Sequence, residues 1–198
     1  MAKIEQKMAE ENDGKAPLSG IPETKKVSEN IMKKVRLEKV TLNCGAGTEP
    51  RRIEKAVKLL ELISGGKAKT IVTNKRIPAF GVRPGLKLGC KITIRGKNKM
   101  NLLKRLLEAI GNKLAPRQIN PGSFSFGIKE YIEIPGVAYQ RDIGLLGLDV
   151  CVTLTRPGAR IERKKINKGK IPLRNKITKE DTIKFMEDNF NTEFGDEK

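Results

Sequence analysis

From residue 86 to residue 95 the chain alternates without a break. Leu86, Leu88, Cys90, Ile92 and Ile94 fall on one face of an extended segment, and Lys87, Gly89, Lys91, Thr93 and Arg95 on the other. A period of two predicts a strand with one face for a core and one for solvent or a partner. Three more segments repeat the design. Val40, Leu42 and Cys44 alternate with Lys39, Thr41 and Asn43; Phe124, Phe126 and Ile128 with Ser125, Gly127 and Lys129; Val150, Val152 and Leu154 with Cys151, Thr153 and Thr155. A shorter strand is predicted over residues 68–73. Val35 and Leu37 are out of phase with Val40 and Leu42, which predicts a bulge near Glu38.

Elsewhere the pattern is helical. Ile53, Ala56, Val57, Leu60 and Ile63 make one stripe, with Thr48 as the expected N-cap, Pro50 in the first turn and Ser64-Gly65-Gly66 as the stop. Leu102, Leu103, Leu106, Leu107 and Ile110 make a second, with Lys99, Lys104, Arg105 and Lys113 on its wet side. Thr178 and Asp181 have capping-box spacing ahead of a short helix carrying Ile183, Met186 and Phe190. Residues 115–122 read as connection, and Ile134-Pro135-Gly136 interrupts the pattern. The first thirty or so residues hold few large apolar side chains and read as disordered, with a docking-dependent helix over 28–34. The expected organisation is a flexible extension (1–31), an α+β domain (32–157), and a basic excursion with a C-terminal helix packed on that domain (158–198). The expected fold is a two-layer α+β sandwich. Its sheet is mainly antiparallel, its helices cover one face, and the other face is open and basic.

Between two strands lies a loop, residues 74–85. Pro78 and Pro84 cannot donate to a ladder, and Gly81 and Gly85 permit backbone shapes that other residues avoid. Lys75, Arg76 and Arg83 surround one aromatic, Phe80. Such a loop projects from its scaffold, and projecting loops commonly carry function.

Charge changes the picture most. The 198 residues include 41 Lys and Arg against 23 Asp and Glu, a formal charge of +18. That points first to nucleic acid and second to an anionic membrane surface. No run of about 18 apolar residues is present to span a membrane, and residues 1–20 lack the apolar core of a secretory signal, so a cytosolic protein with no membrane partner is expected. Cys44, Cys90 and Cys151 show no metal-ligand spacing, and with no histidine in the chain, His-based catalysis and His-ligated zinc are excluded. Residues 156–176 hold nine cations, Arg156, Arg160, Arg163, Lys164, Lys165, Lys168, Lys170, Arg174 and Lys176, against Glu162 alone. An uncompensated run favours phosphate neutralisation and predicts a mobile segment in the free protein.

Aromatics are only 4% of the chain, so stacking on single-stranded bases is poorly supported, and contacts to phosphates and riboses of a structured RNA fit better. Two other classes remain. Gly45-Ala46-Gly47, between a strand and a helix, invites a nucleotide-dependent enzyme. The turn lacks a third glycine and a Lys-Ser/Thr pair, and nothing pairs Glu49 or Glu54 with a nucleophile. The chain is therefore read as a non-enzyme with no catalytic residue, metal or cofactor. A general basic nucleic-acid-binding protein, compacting DNA, is the alternative.

The segments 40–47, 75–85, 89–96, 124–128 and 147–150, in that order and spacing, resemble the family of universal large-subunit ribosomal protein five, called eleven in eukaryotes. The resemblance spans roughly residues 35–157, and the basic excursion and Thr178 helix are similar to the archaeal and eukaryotic form. It implies a ribosomal, cytoplasmic protein in the central protuberance, bound to 5S rRNA, large-subunit rRNA and neighbouring proteins, and bridging to a protein of the small-subunit head. It implies that Asn43, Phe80, Arg83, Lys91, Thr93 and Arg95 meet 5S rRNA. Lys75, Arg76, Ile77, Pro78 and Ala79 would form a tip facing P-site tRNA. Arg160, Arg163, Lys164, Lys165, Lys168 and Lys170 are expected to make general RNA contacts.

Overall fold

A computed structural model describes residues 30–195. The expected N-terminal extension and the last three residues lie outside the described residues; of the short helix expected over 28–34, a single 3₁₀ turn, Ile31–Lys33, is seen. In chain order the elements are β1 (Arg36–Gly45), α1 (Pro50–Ser64), β2 (Lys69–Val72), β3 (Lys87–Ile94), α2 (Lys99–Glu108), β4 (Lys113–Leu114), β5 (Ile119–Asn120), β6 (Ser123–Ile128), β7 (Leu148–Thr155), α3 (Arg160–Arg163), α4 (Lys179–Phe190) and β8 (Glu193–Phe194). Six strands form one sheet in the order β2-β3-β1-β7-β6-β5, with every pairing antiparallel. The fold is the α+β sandwich expected, with more strands than the alternation alone marks.

The alternating residues become the core. Val40, Leu42, Cys44, Cys90, Ile92, Phe124, Phe126, Ile128, Val150, Val152 and Leu154 are buried, and α1 and α2 cover them with Ile53, Ala56, Leu59, Leu60, Ile63, Leu102, Leu103, Leu106 and Leu107. Burying each large apolar side chain contributes about 1.5–3 kcal/mol. Leu59 joins the α1 stripe, where Val57 is only half-buried. The cap of α1 is a correction. Glu49, not Thr48, is the N-cap residue, and it makes no side-chain cap bond; Pro50 is the first helical residue and needs no amide partner there. The stop is as expected: Gly65 adopts a left-handed φ of 67° and donates its N–H to the Glu61 carbonyl.

The bulge near Glu38 is present, as a register shift between Leu37 and Lys39 against β7. Lys99 explains how it is held. Its Nζ donates to the Leu37 carbonyl at 2.6 Å and to the Glu38 carbonyl at 3.5 Å, so Lys99 is not on the wet side of α2 as its place in the stripe suggested. At the other end of β1, Gly89 lies opposite Gly45, and a Cβ at position 89 would sit 2.5 Å from the Cys44 carbonyl oxygen. Only glycine permits that approach.

Segments without periodicity hold structure that the pattern did not show. Residues 115–122 include the edge strand β5, and β4 pairs in parallel with β8 near the C-terminus. The stretch after β6 buries Tyr131, Ile134, Ile143 and Leu146. The Tyr131 hydroxyl accepts the Gln140 N–H at 2.9 Å, and Arg105 Nε donates to the Pro135 carbonyl at 3.0 Å. α4 opens on the expected capping box: Thr178 Oγ1 accepts the Asp181 N–H, and Asp181 Oδ2 accepts the Thr178 N–H. Its Met186 and Phe190 join the same core.

Candidate nucleic-acid interface

Helices α1 and α2 occupy one side of the sheet, and the registers of β1, β3, β6 and β7 arrange the residues of the other side in rows. One row runs Lys69, Lys91, Asn43, Asp149, Gly127; the next runs Thr93, Thr41, Cys151, Ser125; the third runs Lys39, Thr153, Ser123. The Thr41 and Thr93 hydroxyls are 3.4 Å apart, within reach of one shared proton donor or acceptor. The face is therefore rich in hydroxyls along its middle row and cationic toward β2 and β3, where Lys69 and Lys91 stand. Arg95 follows the end of β3 and is exposed. Sequence reasoning identified Asn43, Lys91, Thr93 and Arg95. It missed that Lys69, Ser123, Ser125 and Asp149 share the surface, because which outward residues become neighbours is decided by strand order. Asp149 leaves the β7 end of the face less basic than the β3 end.

The loop after β2 closes into a hairpin of its own. Ile77 and Val82 exchange backbone hydrogen bonds at 3.0 and 3.1 Å, with a 3₁₀ turn over Pro78–Phe80 and a left-handed Gly81 between them. Thr73 fastens the base: its Oγ1 donates to the Arg83 carbonyl at 2.9 Å, and its carbonyl accepts the Gly85 N–H at 2.8 Å. Val82 is buried, alone among residues 74–85. Phe80 is 75% exposed at the apex, beside Pro78 and Ala79. Arg76 and Arg83 precede and follow the Ile77–Val82 bridge, so they occupy neighbouring positions on the stem.

The basic excursion is organised rather than loose. Arg156 pairs with Asp181 at 2.8 Å, which ties the end of β7 to the first turn of α4. Arg163 forms a two-pronged ion pair with Glu38, its second bond measuring 2.7 Å. Gly169 donates its N–H to the Ile161 carbonyl, and its Cα packs so close to Ile161 that a Cβ would lie 2.6 Å from the Ile161 Cγ2. The expectation of a run without acid partners is thus corrected: the partners come from β1 and α4, far away in sequence. The hydrogen bond from Arg163 holds the Glu38 carboxyl below its ordinary value despite partial burial. Burial pushes the Asp181 carboxyl up, but its hydrogen bonds from Thr178 and the Arg156 guanidinium outweigh this and hold it low. Arg160, Lys164, Lys165, Lys168 and Lys170 remain exposed.

The Gly45-to-Gly47 turn does not form a phosphate cradle. The Ala46 N–H is already donated to the Leu88 carbonyl at 3.0 Å. A groove of about 620 Å³ beside it is lined by Pro50, Ile53, Val57 and Leu86 with Thr48, Glu54, Thr70 and Lys58, an arrangement with no nucleophile and base in partnership. Cys44 and Cys90 face each other in the core, both buried, and the Cys44 thiol donates to the Gly147 carbonyl at 3.2 Å, so both pack as small core side chains.

Fold and site together define a class: a basic α+β sandwich whose uncovered sheet face and attached cationic segments suit a polyanion. Residues 30–83 match the family model described as ribosomal protein L5, and residues 87–185 match the model for the C-terminus of the same ribosomal family. The chain belongs to the ribosomal L5 family. Among its relatives, the large ribosomal subunit protein uL5 of Sulfolobus acidocaldarius is 42% identical over 164 residues, covering 82% of this chain and 92% of the relative. The uL5 proteins of Sulfurisphaera tokodaii and Archaeoglobus fulgidus are each 41% identical, covering 82% and 83% of this chain and 93% of either relative.

Proposed function

We propose that this protein is a structural constituent of the large subunit of the cytoplasmic ribosome, without enzymatic activity, and that its open sheet face binds 5S rRNA in the central protuberance. The observation that carries the reading is that face: hydroxyl-bearing residues in register, cationic along β3, with no helix of the described residues laid over it. Small polar residues suit ribose and phosphate contacts, and Asn43, Lys91, Thr93 and Arg95 supply the donors. Arg160, Lys164, Lys165, Lys168 and Lys170 add phosphate contacts outside the face. Large-subunit rRNA and neighbouring proteins of the protuberance complete the environment, and a protein of the small-subunit head is the partner across the bridge.

The hairpin is the second surface. Its apex, Ile77 to Phe80, offers apolar and small groups, with Lys75 and Arg76 below it to neutralise a phosphate. It faces P-site tRNA, and Phe80 works with this tip rather than with the sheet. Arg83 stands beside Arg76 on the stem but on the strand that leads toward β3, and is assigned to the 5S rRNA side.

The test is competition between 5S rRNA and duplex DNA at matched salt, read by filter binding. Marked preference for 5S rRNA is expected; equal affinities would make the chain a general basic nucleic-acid-binding protein. In the same assay Lys75→Ala with Arg76→Ala is expected to bind 5S rRNA as the wild type does, while P-site tRNA dissociates faster from particles reconstituted with it. A tip variant that loses 5S rRNA as badly as Arg83→Ala would merge the two surfaces into one.

A further inference from the structure

Two cations of the basic excursion are held by acids from outside it, and one of these pairs lies at the edge of the open sheet face. Glu38 stands at the bulge in β1, its side chain only 13% exposed, while its partner Arg163 is 54% exposed. The Arg163 Nη1 donates to Glu38 Oε1 and its Nη2 to Oε2. A fork gripping two oxygens in this way is also the geometry by which arginine grips a phosphate. Two further cations converge here. Lys39 is the next residue of β1, and Arg95 follows Ile94, which is paired with Val40, so the register brings Arg95 alongside Lys39. The fields of Lys39 and Arg95 join that of Arg163 in keeping the Glu38 carboxyl ionised.

We propose that this is a binding site for a backbone phosphate of RNA, formed by Arg163, Lys39 and Arg95, in which the Glu38 carboxylate stands in for the phosphate while the protein is free. Binding exchanges one anion for another: Glu38 leaves the Arg163 fork and a phosphate enters it. The bulge does not depend on that side chain, because Lys99 grips its carbonyls. The free protein thereby keeps the excursion beside the sheet face, and Arg163 contributes less to non-specific attraction than its unpaired neighbours do. The inference rests on the reading of the sheet face as an RNA surface.

The experiment is a salt series of 5S rRNA titrations on the full chain. Glu38→Gln preserves the shape and releases the fork. Binding is expected to tighten about two- to fivefold, the worth of a surface ion pair no longer broken. The log–log salt slope is expected to stay nearly the same, because the same phosphate is neutralised in both proteins. Glu38→Asp keeps the charge but shortens the reach, and an intermediate gain is expected. Adding Arg163→Gln to Glu38→Gln should cancel the gain. Unchanged or weaker binding by Glu38→Gln overturns the proposal, as does a gain that survives Arg163→Gln or that is absent in Glu38→Asp. Failure of the wild type to prefer 5S rRNA over duplex DNA would instead overturn the functional reading itself.

Discussion

The open sheet face and the excursion over residues 156–176 are both basic and both face outward, yet they hold their charges by different means. On the sheet, each outward side chain is placed by a backbone register whose reverse side is packed with Leu42, Phe124, Val150 and Leu103. The excursion buries almost nothing. Ile161, Ile166 and Leu173 are exposed, and it is held by two ion pairs, Arg156–Asp181 and Arg163–Glu38, and by a turn around Gly169. Hydrophobic burial is not screened by salt and does not need ionised carboxylates, whereas ion pairs are screened and do. The face is therefore a surface of fixed shape, and the excursion is a set of charges whose arrangement yields to a competing anion.

The largest effect should come from breaking what lies under the face. Phe124 is fully buried on β6 and stacks on Phe126, with ring centroids 6.4 Å apart. Phe124→Ala is expected to cost about 3–5 kcal/mol of stability in urea unfolding and to weaken 5S rRNA binding through loss of the folded fraction. Deleting residues 159–170 should leave the unfolding midpoint nearly unchanged. An equal loss of stability from the deletion would show that the excursion is part of the core.

A finer contrast compares one sheet cation with the deleted run. Arg95→Ala removes a charge-assisted hydrogen bond worth about 1.5–3 kcal/mol, so 5S rRNA affinity should fall while the melting temperature barely moves. The deletion should instead flatten the salt slope, by about 0.7–0.9 for each phosphate that is no longer neutralised. Should the deletion weaken binding at constant slope, the excursion acts by its shape.

Acid should produce the smallest effect, and only on the excursion. Glu38 and Asp181 have carboxyls held low in the folded protein, so their contribution is complete above the ordinary carboxylate range and is lost as pH falls through the lowered values. Protection of the Gly169 amide, bonded to Ile161, measured against the intrinsic exchange rate at each pH, is expected to fall on acidification below the ordinary carboxylate range, before that of the amides of β1 and β7. Glu38→Gln should remove much of that pH dependence. Simultaneous opening of strands and excursion would show that both are one cooperative unit.

Much of the open sheet face was legible in the chain because alternation in a strand is a local property: Thr93 and Arg95 face away from Cys90 and Ile92 whatever the partner strands are. The bulge at Glu38 was legible for the same reason, as a phase error within one strand. The Thr178–Asp181 capping box was legible because its bonds span three residues. Less visible was Phe80, whose place at the apex depends on the Ile77–Val82 bridge, and Lys99, which looked like a solvated lysine until the bulge was seen beneath it.

What the amino-acid sequence determined by itself was periodicity and charge: which residues face a core, which segments are helical, and that the partner is anionic. Tertiary structure alone decided who stands beside whom. Strand order placed Ser125 and Asp149 on the same surface as Asn43, and the path of the excursion brought Arg163 to Glu38 across 125 residues. The physical reason is range. Side-chain direction is set by dihedral angles within a few residues, while an ion pair between distant segments exists only after the hydrophobic core has fixed where each of them lies.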